Sequence, residues 1–358
     1  MISPRTKRNL LKELNTSRMA QLGLLLMVVI LIVTMFAPFF APHHPETQRV
    51  GTGDTLDQTD LPPIGFSTTE NVTRLDEDGE IVTTTEDINA NRSFVLGTNT
   101  RGQDILSRVI YGGRVSLMVG IIGAVLATLM GVPYGLIAGY YRGKVDDALM
   151  RAADVMLAFP SLVLAIALVG VFRETEFHTQ EIPDPFVIAA NSDTIPNFLI
   201  PRADHVASMP ESTTLPLTVT LVVALVNWVW FARVARGEAL SIRSQEYVKA
   251  AKSVGASNFR ILRQHVLPNS LTPIIVLATI QVAFIILLES ALSFLGFSGV
   301  TLTWGQDIAR GQSDQRAQWW IATMPGLAIV LAVIAVNLVG DWLRDALDPG
   351  IEGEAGGV

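Results

Sequence analysis

Residues 115–140 read VSLMVGIIGAVLATLMGVPYGLIAGY, 26 residues without a charged side chain. A helix of roughly 20 apolar residues, rising 1.5 Å per residue, crosses the hydrocarbon layer of a bilayer. A membrane barrel strand would alternate in polarity, and this run does not. Five further stretches read the same way: Met19–Ala41, Leu149–Phe172, Leu215–Ala232, Leu271–Leu292 and Ile321–Leu343. The fold class expected is all-α, a polytopic membrane protein with six transmembrane helices. Gly131, Pro133 and Pro160 fall inside these runs, where membrane helices tolerate them. The first run is longer than the apolar segment of a cleaved leader and five spans follow it, so it is read as a retained helix.

Composition agrees with this reading. Of 358 residues, 49% are apolar and 16% charged, against about 25% charged in ordinary soluble chains. The absence of cysteine excludes disulfides, thiolate catalysis and Cys-ligated metal sites. A net charge of −7 argues against nucleic acid as a partner. The placement of charge sets an orientation. Arg5, Lys7, Arg8, Lys12 and Arg18 precede the first run. Arg142, Lys144 and Arg151 follow the second, and Arg233, Arg236, Arg243, Lys249, Lys252, Arg260 and Arg263 follow the fourth. Acids dominate His43–Gly113 and Arg173–Glu211. The positive-inside rule then expects both termini in the cytoplasm of a multi-pass cell-membrane protein. The expected divisions are residues 1–42 (N-terminus and first helix), 43–93 (an extracytoplasmic insertion), 94–349 (five helices with a cytoplasmic loop at about 237–268) and 350–358 (a tail). Within the insertion, Leu75–Glu80 around Asp78-Gly79 reads as a turn or small hairpin.

The loop after the fourth run reads helix, break, helix. Glu246–Val254 has amphipathic spacing with Tyr247, Ala250, Ala251 and Val254 toward one side. Gly255 suits the position after a helix that needs positive φ. Ser257 or Asn258 can cap a second short helix containing Phe259, Ile261, Leu262 and Val266. Pro268 fits the start of the next span, where its missing N–H costs little. Two readings stand on physics alone: a surface that docks another protein, or a helix lying in the headgroup plane with Lys249, Lys252, Arg260 and Arg263 on phospholipid.

Glu246, Ala250, Ala251, Gly255, Leu267 and Pro268 together resemble the EAA motif of ATP-binding-cassette (ABC) import permeases. That resemblance implies the type I importer permease fold and a coupling helix seated in a groove of the ATPase subunit. Leu96–Leu117, Asp146–Pro160, Leu288–Phe297, Trp304-Gly305 and Gly340–Pro349 resemble the second, C-type permease of dipeptide, oligopeptide and nickel importers. Asn99 and Gln103 depart from it, standing where that resemblance expects Asp and Arg. The family resemblance implies a heterodimer with a second permease, two ATPase subunits that bind ATP and Mg, and an extracytoplasmic solute-binding protein. It implies no cofactor in this chain. Peptides are the substrate it favours, with nickel or another small solute as the alternative. An ion-coupled secondary carrier is the rival from another class.

No G-x-x-x-x-G-K-[ST] loop, nucleophile elbow or H-E-x-x-H occurs, so no catalytic or metal site is expected and energy must arrive from another chain. Glu289 is an acid well inside an apolar run, which requires a compensating role: a hydrogen bond, a gate position or a place on the pathway. Arg344 can pair with Asp341 or Asp345, or anchor the helix at the interface. His43-His44 are adjacent and do not share a helix face, which does not suit a metal site. Trp319-Trp320 fits an aromatic belt.

Overall fold

The computed structural model describes residues 4–50, 58–75, 81–172, 179–192, 200–300, 302–312 and 318–347. The Asp78-Gly79 turn and the 350–358 tail lie outside them.

The chain opens with α1 (Pro4–Thr16) and α2 (Arg18–Met35), followed by the single turn α3 (Ala37–Phe40). Strands β1 (Ser67–Leu75) and β2 (Ile81–Asn89) pair antiparallel with Leu75 opposite Ile81, which is the hairpin expected there. Then come α4 (Ile105–Tyr141), α5 (Gly143–Leu157) and α6 (Ser161–Phe172). The second insertion holds β3 (Gln180–Pro183), α7 (Pro185–Ala190), α8 (Ala203–Ala207) and β4 (Ser212–Leu215), with β3 and β4 antiparallel. The remainder is α9 (Leu217–Arg243), α10 (Glu246–Ser253), α11 (Asn258–Ile261), a π turn (Leu262–Val266), α12 (Leu267–Phe294), α13 (Trp304–Arg310) and α14 (Trp319–Leu347).

Among the described residues, five uninterrupted helical stretches are long and apolar enough to cross a bilayer: α2, α4, α9, Asn258–Phe294 and α14. The sixth expected span departs from the sequence reading. Leu149–Phe172 is not one helix: α5 and α6 meet at 90° across Ala158–Pro160. Pro160 has no N–H to continue α5, and its ring would crowd the preceding turn, so the chain turns instead of kinking.

Helices α4 and α9 form the centre of the bundle, and their approach has a plain cause. Gly131, Gly135 and Gly139 lie four residues apart on one face of α4. A Cβ added at Gly135 would stand 2.0 Å from the Ala232 carbonyl oxygen, and at Gly131 2.2 Å from that of Trp228. At Gly139 it would stand 2.5 Å from the carbonyl oxygen of Arg236. Small residues at this spacing let membrane helices touch backbone to backbone, gaining dispersion contact where lipid offers no hydrophobic drive. Val115, Val119, Val219, Val222, Val223, Ile285 and Leu292 extend this core to α12, and Ala165 and Val169 of α6 join it. Further out, α14 packs on α12, with Gly340 against Thr279, and α2 packs on α14, with Gly23 against Leu338.

Both insertions fold over one end of the bundle, where α2 ends and α4 begins. Ala37 and Ala41 share a buried cluster with Ile110, Tyr111, Val187 and Val206. Trp320 is not a belt residue. It is buried, and its Nε1–H donates to the Thr98 carbonyl at 3.0 Å, while Trp319 stays half-exposed against Phe66. Arg344 is exposed and forms no ion pair with Asp341 or Asp345 among the described residues.

Gly135→Ala is expected to lower the stability of the solubilised protein by about 1–3 kcal/mol, because the methyl group meets backbone that cannot move aside. Gly237→Ala on α9, where a Cβ meets nothing within 4 Å, is expected to leave it unchanged or slightly raised. Thermal unfolding of the two variants in detergent checks this.

Candidate functional site

The loop singled out by the sequence forms at the end of the bundle opposite the insertions. Helix α9 runs through Arg243, so residues 237–243 belong to it and the loop proper begins at Ser244. Gln245 is extended, and α10 starts at Glu246. The end of α10 is a Schellman motif. The Gly255 N–H donates to the Lys252 carbonyl and the Ala256 N–H to that of Ala251, both at 3.1 Å, with Gly255 at φ +83°. Ser257 then caps α11, its Oγ accepting from the Arg260 N–H at 3.4 Å; Asn258 does not cap.

Pro268 stands in the first turn of α12, as expected, and α12 follows directly on the preceding turns. The chain is helical without a break from Asn258, and the π turn Leu262–Val266 just before Leu267 takes up the residue that lacks a donor. Leu267 and Ala251 both pack against the buried cluster of Tyr140, Ala239, Ile242, Val248, Ile261 and Val266. The loop is thereby held on its inner side by Val248, Ile261 and Val266.

The opposite side faces outward. Tyr247 is 46% exposed, Phe259 72% and Val254 87%, and Ala250 is also exposed. Glu246 pairs with Lys249 at 2.7 Å, a solvent-exposed i,i+3 contact worth little by itself. Apolar side chains held outward on a folded, pinned loop are the mark of a surface that another molecule covers.

One residue the sequence did not single out joins the loop to the bundle. The Tyr140 hydroxyl donates to Asn258 Oδ1 at 3.0 Å, the Tyr140 carbonyl accepts from Arg243, and the Arg243 guanidinium lies over the Tyr140 ring. The C-terminal ends of α4 and α9 and the start of α11 meet there. Beside it, Arg236 grips both oxygens of Asp146 at 2.5 and 2.7 Å, and Arg233 reaches Asp154 at 2.6 Å, fixing α5 across α9.

At the other end, a buried polar clamp ties the insertions to the bundle. Arg108 donates to Asp307 Oδ1 at 2.8 Å through Nε and 2.5 Å through Nη2. It also reaches the Pro45 carbonyl and Gln103 Oε1, both at 3.2 Å. Asn99 and Gln103 form a neutral pair at 2.9 Å, and the Gln103 N–H donates to Asn99 Oδ1. An amide pair therefore occupies the place where Asp and Arg were expected, with no buried charge left unmatched by the change. Asp104 caps α4 through the Ser107 N–H at 3.0 Å. Burial lowers the affinity of His43 for a proton, outweighing the opposing pull of Asp104. Arg114 binds the last carbonyls of α2, Thr34 at 3.1 Å and Met35 at 2.7 Å, and pairs with buried Asp184 of the second insertion.

Glu289 is fully buried in α12 and remote from the loop, 22 residues beyond Leu267 and so about 33 Å along the helix. Its carboxyl accepts from Ser293 at 2.5 Å and from Ser290 at 3.4 Å, both on its own helix. Glu246, Ala250 and Ala251 thus lie on α10, Gly255 in the turn that ends it, and Leu267 and Pro268 in the first turn of α12, with Glu289 far along that helix.

Residues 131–353 match the family described as binding-protein-dependent transport system inner membrane component, and residues 8–63 match the N-terminal TM domain of oligopeptide transport permease C. The chain is 32% identical over 336 residues to the di/tripeptide transport system permease protein DppC of Pseudomonas aeruginosa, covering 93% of this chain and 88% of that one. It is 36% identical over 256 residues to the dipeptide transport system permease protein DppC of Alkalihalophilus pseudofirmus, covering 71% of each. Against the DppC of Haemophilus influenzae it is 30% identical over 335 residues, 93% of this chain and 91% of that one.

Arg108→Met is expected to destabilise the protein by about 3 kcal/mol, because buried Asp307 loses its two short bonds and keeps only the Arg310 contact at 3.5 Å. Arg108→Met combined with Asp307→Leu is expected to recover most of that loss. Denaturation of the three proteins in one detergent measures the difference.

Proposed function

The chain belongs to the family of binding-protein-dependent transport inner membrane components, and from that premise we propose that it is the permease subunit of an ABC importer for di- and oligopeptides. The names of its relatives support the peptide substrate. The observation that carries the coupling role is the geometry of α10: a short helix pinned by Val248 and Ile261, with Tyr247, Ala250, Val254 and Phe259 left outward.

In this reading, basic residues gather at the α10 end, which is the cytoplasmic side, and both termini lie there. The insertions cap the extracytoplasmic side and receive solute from a binding protein. A second permease completes the path. Two ATPase subunits bind ATP and Mg in their own sites, close on the nucleotide and carry α10 with them. Glu246, Ala250, Ala251 and Gly255 form the seat, while Leu267 and Pro268 lead the motion into α12. Because Tyr140 bonds α11 and Arg243, movement of the loop is passed to the ends of α4 and α9 together. Their backbone contact makes them move as one body, the form of change favoured by tightly packed helices. Glu289, bonded to Ser290 and Ser293, serves as an internal polar brace or gate position within α12, away from the ATPase seat.

Gly255→Val tests the assignment. A β-branched residue at φ +83° costs about 1–2 kcal/mol of backbone strain. Uptake of labelled dipeptide in membrane vesicles is expected to fall roughly tenfold, the scale of such a shift in a two-state coupling, with ATPase subunits still co-purifying. Normal uptake by this variant contradicts the assignment of the loop. Recovery of the wild-type subunit without any nucleotide-binding chain contradicts the importer reading itself.

A further inference from the structure

The turn between α5 and α6 leaves more backbone unpaired than a lipid-facing site allows. The N–H groups of Phe159, Ser161, Leu162 and Val163 find no acceptor among the described residues, and the first to do so is that of Leu164, on the Pro160 carbonyl. The carbonyls of Met156, Leu157, Ala158 and Phe159 likewise accept nothing among the described residues. Ala158, Phe159 and Pro160 are all exposed on the surface of the chain.

The depth of this turn follows from its neighbours. Helix α6 has 12 residues, about 18 Å against a hydrocarbon layer of about 30 Å. Its Ala165 and Val169 lie in the same buried cluster as Val219, Val222 and Val226, in the first half of α9. Helix α5 lies crosswise below, because Asp146 and Asp154 pair with Arg236 and Arg233, only three residues apart on α9. Arg233 stands ten residues before the end of α9, about 15 Å from the α10 end of the bundle. The turn is therefore at membrane depth. Irregular backbone at that depth persists only where protein buries it or water reaches it. None of the described residues of this chain buries it, and the exposed Arg233–Asp154 pair, 47% and 58% exposed, lies beside it.

We infer that the Ala158–Phe159–Pro160 break lines the water-filled path through the assembled transporter, with α5 as its polar lower edge. This rests on the importer reading above and adds to it the stretch of this chain that faces the solute. Water supplies the missing hydrogen bonds of the turn, and Asp154 and Arg233 continue the wet face toward the α10 end.

The chain has no cysteine, so single thiols report without background. Ala158→Cys, Phe159→Cys and Leu25→Cys are made in the full chain and assembled with the partner subunits in membrane vesicles. Leu25 is the lipid-facing control, 60% exposed on α2 and about 10 Å from the start of that helix. The probe is a positively charged methanethiosulfonate, which reacts with the thiolate and so reports hydration. Ala158→Cys and Phe159→Cys are expected to react at least about tenfold faster than Leu25→Cys. Rates as slow as that of Leu25→Cys at both positions overturn the inference, as they would if a second permease packed dry against the turn. ATP-driven dipeptide uptake by the same vesicles separates the two levels. Uptake with slow labelling removes this inference alone, whereas an ATPase-bearing wild-type complex that does not transport removes the importer reading on which it rests.

Discussion

Backbone-to-backbone contact between α4 and α9 is the constraint on which the rest of the molecule depends. Gly131, Gly135 and Gly139 face the carbonyls of Trp228, Ala232 and Arg236, so the two helices approach as closely as their main chains permit. Within a bilayer no water is released when apolar side chains meet, and close fit has to supply the attraction. Every other element of functional interest hangs on this pair. Helix α9 presents Arg233 and Arg236 to hold α5, and its end runs through Ser244 into α10. Helix α4 ends at Tyr140 and Tyr141, and Tyr140 fastens the loop that follows α9.

The two ends of the bundle are stabilised by different chemistry. At the α10 end the loop is held by a small apolar cluster and by hydrogen bonds to Tyr140, and it leaves Val254 and Phe259 outward. At the other end buried charge pairs, Arg108 with Asp307 and Arg114 with Asp184, join segments far apart in sequence. Each of those arginines also binds main-chain carbonyls, so its charge is well matched. Such a clamp is intolerant of losing one partner. A charge-clamped cap at one end and an outward-facing apolar loop at the other suit the proposed machine, in which motion enters at one face.

Much of this was legible in the sequence because the bilayer imposes simple rules. Uncharged runs located α2, α4, α9, α12 and α14, and the Gly255 and Ser257 positions foretold the helix, turn and helix of the loop. The third run misled because hydropathy counts apolar residues without asking whether the backbone can continue through Pro160. The side of α10 that carries Tyr247, Ala250 and Val254 was readable from its spacing, but helical periodicity reports that a face is apolar, not what covers it. Arg108, Asp307 and Tyr140 were missed since their partners are distant in the chain, Arg108 and Asp307 by 199 residues. The Gly131-x-x-x-Gly135-x-x-x-Gly139 spacing was a readable signal for the central contact. Trp320 looked interfacial by position, yet its indole N–H found a buried carbonyl partner instead.

The central claim is that the outward side of α10 is covered by a nucleotide-driven subunit. Val254, at 87% exposure, is the position from which to ask, with a photo-reactive residue placed there in the assembled complex in its membrane. The account predicts an adduct between this chain and an ATP-binding subunit, weakened when nucleotide changes the docking geometry. Adducts with lipid alone would contradict it and return α10 to the headgroup plane.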